Sequence, residues 1–197
     1  AWDLMLNLSS EFGVSSDYER ELRKLFRNVE FRKAMSHAMD RDTMGQSVAR
    51  GPFFHPHAGG FVAGSPFHNF DDSIYYAYNV SGANSILDGL GLEDSDGNGI
   101  RNLPNGGDDL VIDVLYNSLR STDNKLADAS VSMFEAIGIK PVLKPSDNTD
   151  AFTDSGNWSM YIAREHWVVA TKNIGDRLPT TSQNPAWHRN NEGDLLS

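Results

Sequence analysis

Apolar and polar positions alternate along this chain with two different periods. Leu4, Leu6 and Leu8 alternate with Met5 and Asn7, which predicts a buried strand at the start. Over residues 17–26 the period lengthens. Tyr18, Leu22, Leu25 and Phe26 recur at helical spacing, and Asn28 is placed to cap a second helix. That helix carries Phe31, Ala34, Met35, Ala38 and Met39 on one face. Asp40 interrupts the run and starts a third helix with Met44 and Val48 turned inward, ended by Gly51-Pro52. Residues 51–72, rich in Pro, Gly and Phe, read as a long loop of the kind that is usually functional or crosses a surface.

Helical spacing returns from Ser81 through Ala83, Ile86, Leu87 and Leu90, with Gly89 and Gly91 as terminators. Residues 93–107 are turn-rich. Then Leu110, Ile112, Val114 and Tyr116 alternate strictly and predict a strand. Residues 122–137 form an amphipathic helix with Gly138 as its stop, and residues 139–143 a second strand. Residues 110–143 thus have the length of a strand–helix–strand crossover, which requires parallel strands. A further strand is predicted over residues 160–163, and beyond Trp167 the pattern fades. The class is α/β, with no internal repeat.

Composition narrows the partners. The 197 residues carry a formal net charge of −10 and no basic cluster, which argues against nucleic acid and anionic membrane as partners. No apolar run is long enough to span a bilayer, so the chain is not itself membrane-spanning. Cysteine is absent, which removes disulfides and thiolate catalysis. The chain opens inside a strand with neither an initiator Met nor a signal peptide, as a fragment of a longer protein would.

Few constellations point to chemistry. Asp94-Ser95-Asp96-Gly97-Asn98-Gly99-Ile100 matches the first half of an EF-hand loop, but position twelve is Asn105 rather than a bidentate Glu. A turn held by Asp and Asn side chains is the favoured reading, and a calcium-stabilised interaction module the alternative. His55, His57 and His68 could supply a metal-dependent hydrolase, although no standard zinc spacing accompanies them. No nucleophile elbow and no phosphate-cradling glycine motif occurs. Trp158, Tyr161 and Trp167, with Arg164, Glu165 and His166 among them, combine aromatic faces and charges in a way that suits a sugar or a peptide in a cleft.

Three stretches, in order, carry a resemblance. Leu25-Phe26-Arg27-Asn28-Val29-Glu30-Phe31-Arg32-Lys33-Ala34-Met35 continues to Asp40-Arg41. Tyr78-Asn79-Val80 leads through Leu87-Asp88-Gly89-Leu90-Gly91 to the turn at 94–101. Val114-Leu115-Tyr116-Asn117-Ser118, the helix that follows, and Ile137-Gly138-Ile139-Lys140-Pro141 complete the set. Together they resemble the family 5 extracellular solute-binding proteins of ABC importers, the peptide-, nickel- and oligosaccharide-binding group.

The resemblance implies a type II periplasmic-binding-protein-like lobe, a mixed β-sheet flanked by helices. It makes residues 1–197 a single lobe, the second of two that close on a ligand, with the first lobe outside these residues. It implies a binding protein and not an enzyme, with no cofactor and no metal. The expected partners are a small-molecule ligand and the ABC permease subunits, on the periplasmic or extracellular side, with lipid anchoring one option for the full-length protein. In peptide-binding relatives the matching segment leads into a Trp and an Asp that hold the ligand's amino terminus. Here that segment is residues 156–167, where Ser159 replaces the motif's own Asp, and Glu165 and Trp167 are the nearest substitutes. This tilts the implied ligand toward an oligosaccharide. The ligand-binding candidates are Trp158, Arg164, Glu165 and Trp167, followed by Asn7 and Tyr116 near strand ends.

Overall fold

The computed structural model describes residues 2–48, 76–104 and 107–164. The chain opens with strand β1 (Trp2–Leu6), followed by helices α1 (Asp17–Arg27), α2 (Val29–Ala38), α3 (Arg41–Val48) and α4 (Val80–Gly89). Then come β2 (Val111–Asn117), α5 (Ser121–Glu135), β3 (Lys140–Ser146), α6 (Thr149–Ser155) and β4 (Met160–Arg164).

The helix ends follow from local chemistry. Ser16 caps α1 by accepting from the N–H of Glu19, whose own carboxylate reaches back to the N–H of Ser15 at 2.6 Å. Asn28 both ends α1 and caps α2, its side chain accepting from the N–H of Glu30 at 2.9 Å. Asp40 accepts from the N–H and hydroxyl of Thr43 and so starts α3, as its position in the sequence predicts. Asn79 caps α4 through the N–H of Gly82. Gly138 takes a left-handed φ of 74° just past α5, and Ile139 returns its N–H to the carbonyl of Phe134.

The four strands form one sheet in the order β1-β4-β2-β3. β2 runs parallel to β3 and to β4, whereas β1 is antiparallel to β4, so the sheet is mixed. Ile112, Val114, Tyr116, Met160 and Ile162 point to one face and pack with Leu22, Phe26, Phe31, Met35, Leu87, Leu126 and Phe134 of the helices. Full burial of side chains this size contributes about 1.5–3 kcal/mol each. Leu115 is buried as well, although the alternation places it on the opposite face. There Tyr161 lies opposite Leu115 in the β2–β4 register, and its hydroxyl stands 3.3 Å from that of Thr149 on α6. Helix α6 therefore covers part of the second face.

The turn-rich segment is a built unit. The Asp94 carboxylate accepts from the N–H groups of Gly97, Asn98 and Gly99 at 2.8–3.1 Å. Gly97 and Gly99 sit at φ 78° and 87°, where a side chain would be strained. Arg101 then locks this turn to the core. Its guanidinium, with the residue only 9% exposed, donates to the carbonyl of Ile137 at 2.8 Å, to Asn84 Oδ1, to Asp88 at 2.6 Å and to the carbonyl of Leu92. The carboxylate oxygens of Asp94 accept from the backbone, in keeping with the hydrogen-bonded turn read from the sequence. Among the described residues, no group of three or more His, Cys, Asp or Glu is placed to hold a metal ion. Among them too, no helix is long and apolar enough to cross a membrane.

Candidate functional site

Parallel strands gather their C-terminal ends on one edge of a sheet, and in open α/β sheets ligands bind outside that edge. Asn117 ends β2 directly opposite Ser146, which ends β3. Arg164 ends β4, and the antiparallel register brings Trp2 of β1 beside it. The connections leaving this edge are tied down. Ser118 donates its N–H to the carbonyl of Ser146 at 2.9 Å, Leu119 donates to Asn117 Oδ1 at 3.0 Å, and Asn124 Nδ2 donates to the carbonyls of Ser118 and Arg120. This holds Leu119 out from the loop with 78% of its surface exposed. Asn148 caps α6 beside it, through the N–H of Ala151.

The opposite end of β1 and β4 is built differently. Asn7, which follows β1, is fully buried. Its Nδ2 donates to the carbonyls of Gly156 at 3.1 Å and Trp158 at 3.0 Å, and its Oδ1 accepts from the N–H of Ser9. Arg23 of α1, only 3% exposed, places Nη2 2.9 Å from each of the same two carbonyls and Nη1 3.4 Å from that of Ser9. Burial pushes the Arg23 pKa down to about 10, against a smaller upward pull from Glu19. Trp158 is 5% exposed and meets Tyr161 edge-on, with ring centroids 6.2 Å apart.

The candidates read from the sequence therefore separate into two groups. Asn7 and Trp158 come together at the base of β1 and β4. Tyr116 lies one residue before the end of β2, with its side chain in the core, and Arg164 closes β4 at the carboxyl edge. Glu165 and Trp167, which follow Arg164 in sequence, lie outside the described residues, as do Asn105, His55, His57 and His68. The sequence reading did not single out Leu119, Arg120 or Asn148. The signal for them was topological: each sits in a connection leaving a parallel strand, and their position is visible only once the strand order is known.

A concavity of about 280 Å³ lies between β1 and α2 and is lined by Leu4, Leu6, Met35, Met39, Arg32 and Arg41 among others. Arg32 donates to the carbonyls of Phe26 and Arg27, and Arg41 to Ser36 and the carbonyl of Tyr76. Both cations fasten helix ends.

Residues 4–184 match the family model described as bacterial extracellular solute-binding proteins, family 5 Middle. The periplasmic alpha-galactoside-binding protein of Rhizobium meliloti (strain 1021) is 33% identical over 200 residues, covering 98% of this chain and 29% of that protein. The structure of the periplasmic binding protein MelB from Agrobacterium fabrum C58, in complex with stachyose, superposes with a TM-score of 0.90 at 30% identity. The match covers 98% of this chain and 30% of that one. The oligopeptide-binding protein OppA has a TM-score of 0.71 at 23% identity, over 83% of this chain and 24% of its own, a likeness of fold. The chain thus spans under a third of the length of these relatives.

Proposed function

Since the chain belongs to family 5 of the bacterial extracellular solute-binding proteins, we propose that residues 1–197 form the second lobe of a two-lobe receptor that delivers an oligosaccharide to an ABC importer. The full-length protein holds its ligand between the lobes, on the periplasmic or extracellular side, and releases it unchanged to the permease. Ligand that touches both lobes stabilises the closed form, and the permease can read that form. Lipid anchoring is one way for such a receptor to stay near its permease.

A sugar is favoured over a peptide by one observation in particular. Nearly the whole chain aligns, at 33% identity, with a protein named for binding alpha-galactosides. The chain's own residues agree with it. Arg164 ends β4 at the carboxyl edge, and Glu165 and Trp167 come next in the sequence, residue types that offer an aromatic face for a sugar ring and charged groups for its hydroxyls. In this reading Arg164, Glu165 and Trp167 touch ligand and Tyr116 backs the edge from the core. Trp158 and Asn7 hold the far end of the same strand.

The test is a thermal-shift screen of the full-length protein against stachyose and smaller galactosides, short peptides and nickel complexes. Binding to the native state raises the melting temperature, by an amount that grows with the logarithm of ligand concentration above Kd. A shift with galactosides alone supports the reading, a shift with peptides alone replaces the ligand class, and no shift with any of them overturns it.

A further inference from the structure

We propose that Arg23 is a positioning residue which, with Asn7, clamps the base of β4 and thereby sets where the Arg164 end of that strand stands at the carboxyl edge. The proposal rests on the sugar-receptor reading for its ligand and on geometry for its mechanism.

Two carbonyls, those of Gly156 and Trp158, receive both side chains. Arg23 Nη2 lies 2.9 Å from each, and Asn7 Nδ2 lies 3.1 and 3.0 Å from them. The Gly156 carbonyl takes a third donor, the N–H of Trp158, at 3.0 Å. Asn7 also gives its backbone N–H to the carbonyl of Ser159 at 2.9 Å, so the clamp continues directly into the β1–β4 ladder. The guanidinium is buried with oxygens of three main-chain carbonyls as its partners, those of Ser9, Gly156 and Trp158. Glu19, the acid that stabilises its charge from a distance, spends its carboxylate on Ser15. A buried cation satisfied by backbone oxygens is a costly way to fill space, because the charge must be taken out of water. It is an effective way to fix a turn, since the planar fork of guanidinium donors spans several acceptors at set angles.

What the turn fixes is the entry into a strand whose ladder with β2 is short. The register of β4 with β2 runs over Met160 and Tyr161, whereas its register with β1 continues to Arg164. Beyond Tyr161 the β1–β4 pair is a two-stranded ribbon leading to the candidate ligand edge. The position of its far end depends on how firmly its near end is held, and the near end is held by Arg23 and Asn7.

The experiment compares full-length wild type with Arg23→Met, Arg23→Lys and Asn7→Ala. Amide hydrogen exchange is read separately over residues 156–164 and over β2, and stachyose affinity by calorimetry. Arg23→Met is expected to speed exchange at 156–164 by roughly tenfold or more, leave β2 within about twofold, and weaken stachyose binding by roughly tenfold. Arg23→Lys keeps the charge but loses the fork, so it is expected to fall between wild type and Arg23→Met. If Arg23→Met does not fold, Arg23→Lys and Asn7→Ala carry the same comparison with the same expected direction. Equal acceleration in both regions would reduce Arg23 to a general stabiliser and overturn the proposal. So would faster exchange at 156–164 with unchanged stachyose affinity. If wild type itself does not bind stachyose, the sugar reading fails, and the exchange pattern alone upholds or overturns the clamp.

Discussion

Gly13 and Gly156 pass each other so closely that a Cβ on Gly13 would stand 2.2 Å from the carbonyl carbon of Gly156. A Cβ on Gly156 would stand 2.4 Å from the ring of Phe12. Both residues hold φ near +75°, which L side chains adopt only under strain. Replacing Gly13 by Ala adds a left-handed penalty to a backbone clash that no flexible side chain can relieve. We expect Gly13→Ala to cost about 2 kcal/mol or more, read as a lower urea midpoint of the full-length protein. An unchanged midpoint would mean that the two segments are not in contact.

Arg101 gathers Asn84, Asp88, Leu92 and Ile137 around one guanidinium. Arg101→Met keeps much of the volume but strands the buried carbonyls of Leu92 and Ile137. The expected loss is about 2–4 kcal/mol, measured by urea unfolding. Arg101→Lys should recover only part of it, because one ammonium cannot reach all four partners.

Asp94 carries a pH signature. The N–H of Gly99 foremost, followed by those of Gly97 and Asn98, holds its carboxyl below the ordinary value of 3.8. A carboxylate with a depressed folded pKa stabilises fully above its unfolded value, and that contribution is lost as pH falls through the folded one. The acid-side decline in melting temperature should therefore be shallower in Asp94→Asn than in wild type below about pH 4. Parallel profiles for the two proteins would place the carboxylate in solvent.

Trp167→Ala tests the proposed ligand contact most directly. A stacked aromatic anchor contributes about 1–3 kcal/mol, so galactoside affinity of the full-length protein should fall by roughly five- to 150-fold in calorimetry. Retained affinity would move the contact elsewhere on the edge.

The β2–α5–β3 unit was legible because its signals are local: strict alternation from Leu110 to Tyr116, an amphipathic helix and a glycine at its end. The strand expected over residues 139–143 runs on to Ser146, past Pro145. Proline reads as a terminator in sequence, but β3 is at an edge of the sheet, where a missing N–H is tolerated. Helix α6 was not anticipated. Its seven residues are too few for a period to emerge, and its one clear mark, Asn148 as cap, looks like any loop asparagine. The site was less legible than the fold. Asn7 and Trp158 drew notice as a polar residue at a strand end and an aromatic in a cluster, but that they meet Arg23 at one turn depends on pairing between distant segments. Likewise, which loop residues share the carboxyl edge follows from strand order, which no local pattern encodes.

The strand order also governs when each part of the chain can settle during synthesis. β1 is made first, yet its ladder partner is β4, and Leu4 meets Ile162 only after the intervening chain has been produced. β1 therefore waits for β4 while β2, α5 and β3 associate through contacts that are close in sequence. Among the described strands, β4 arrives last and enters between two that are already present. A chain stalled before residue 156 lacks both the turn that Arg23 and Asn7 grip and the strand that shields Leu4 and Leu6. The window for misassociation stays open until that turn is made.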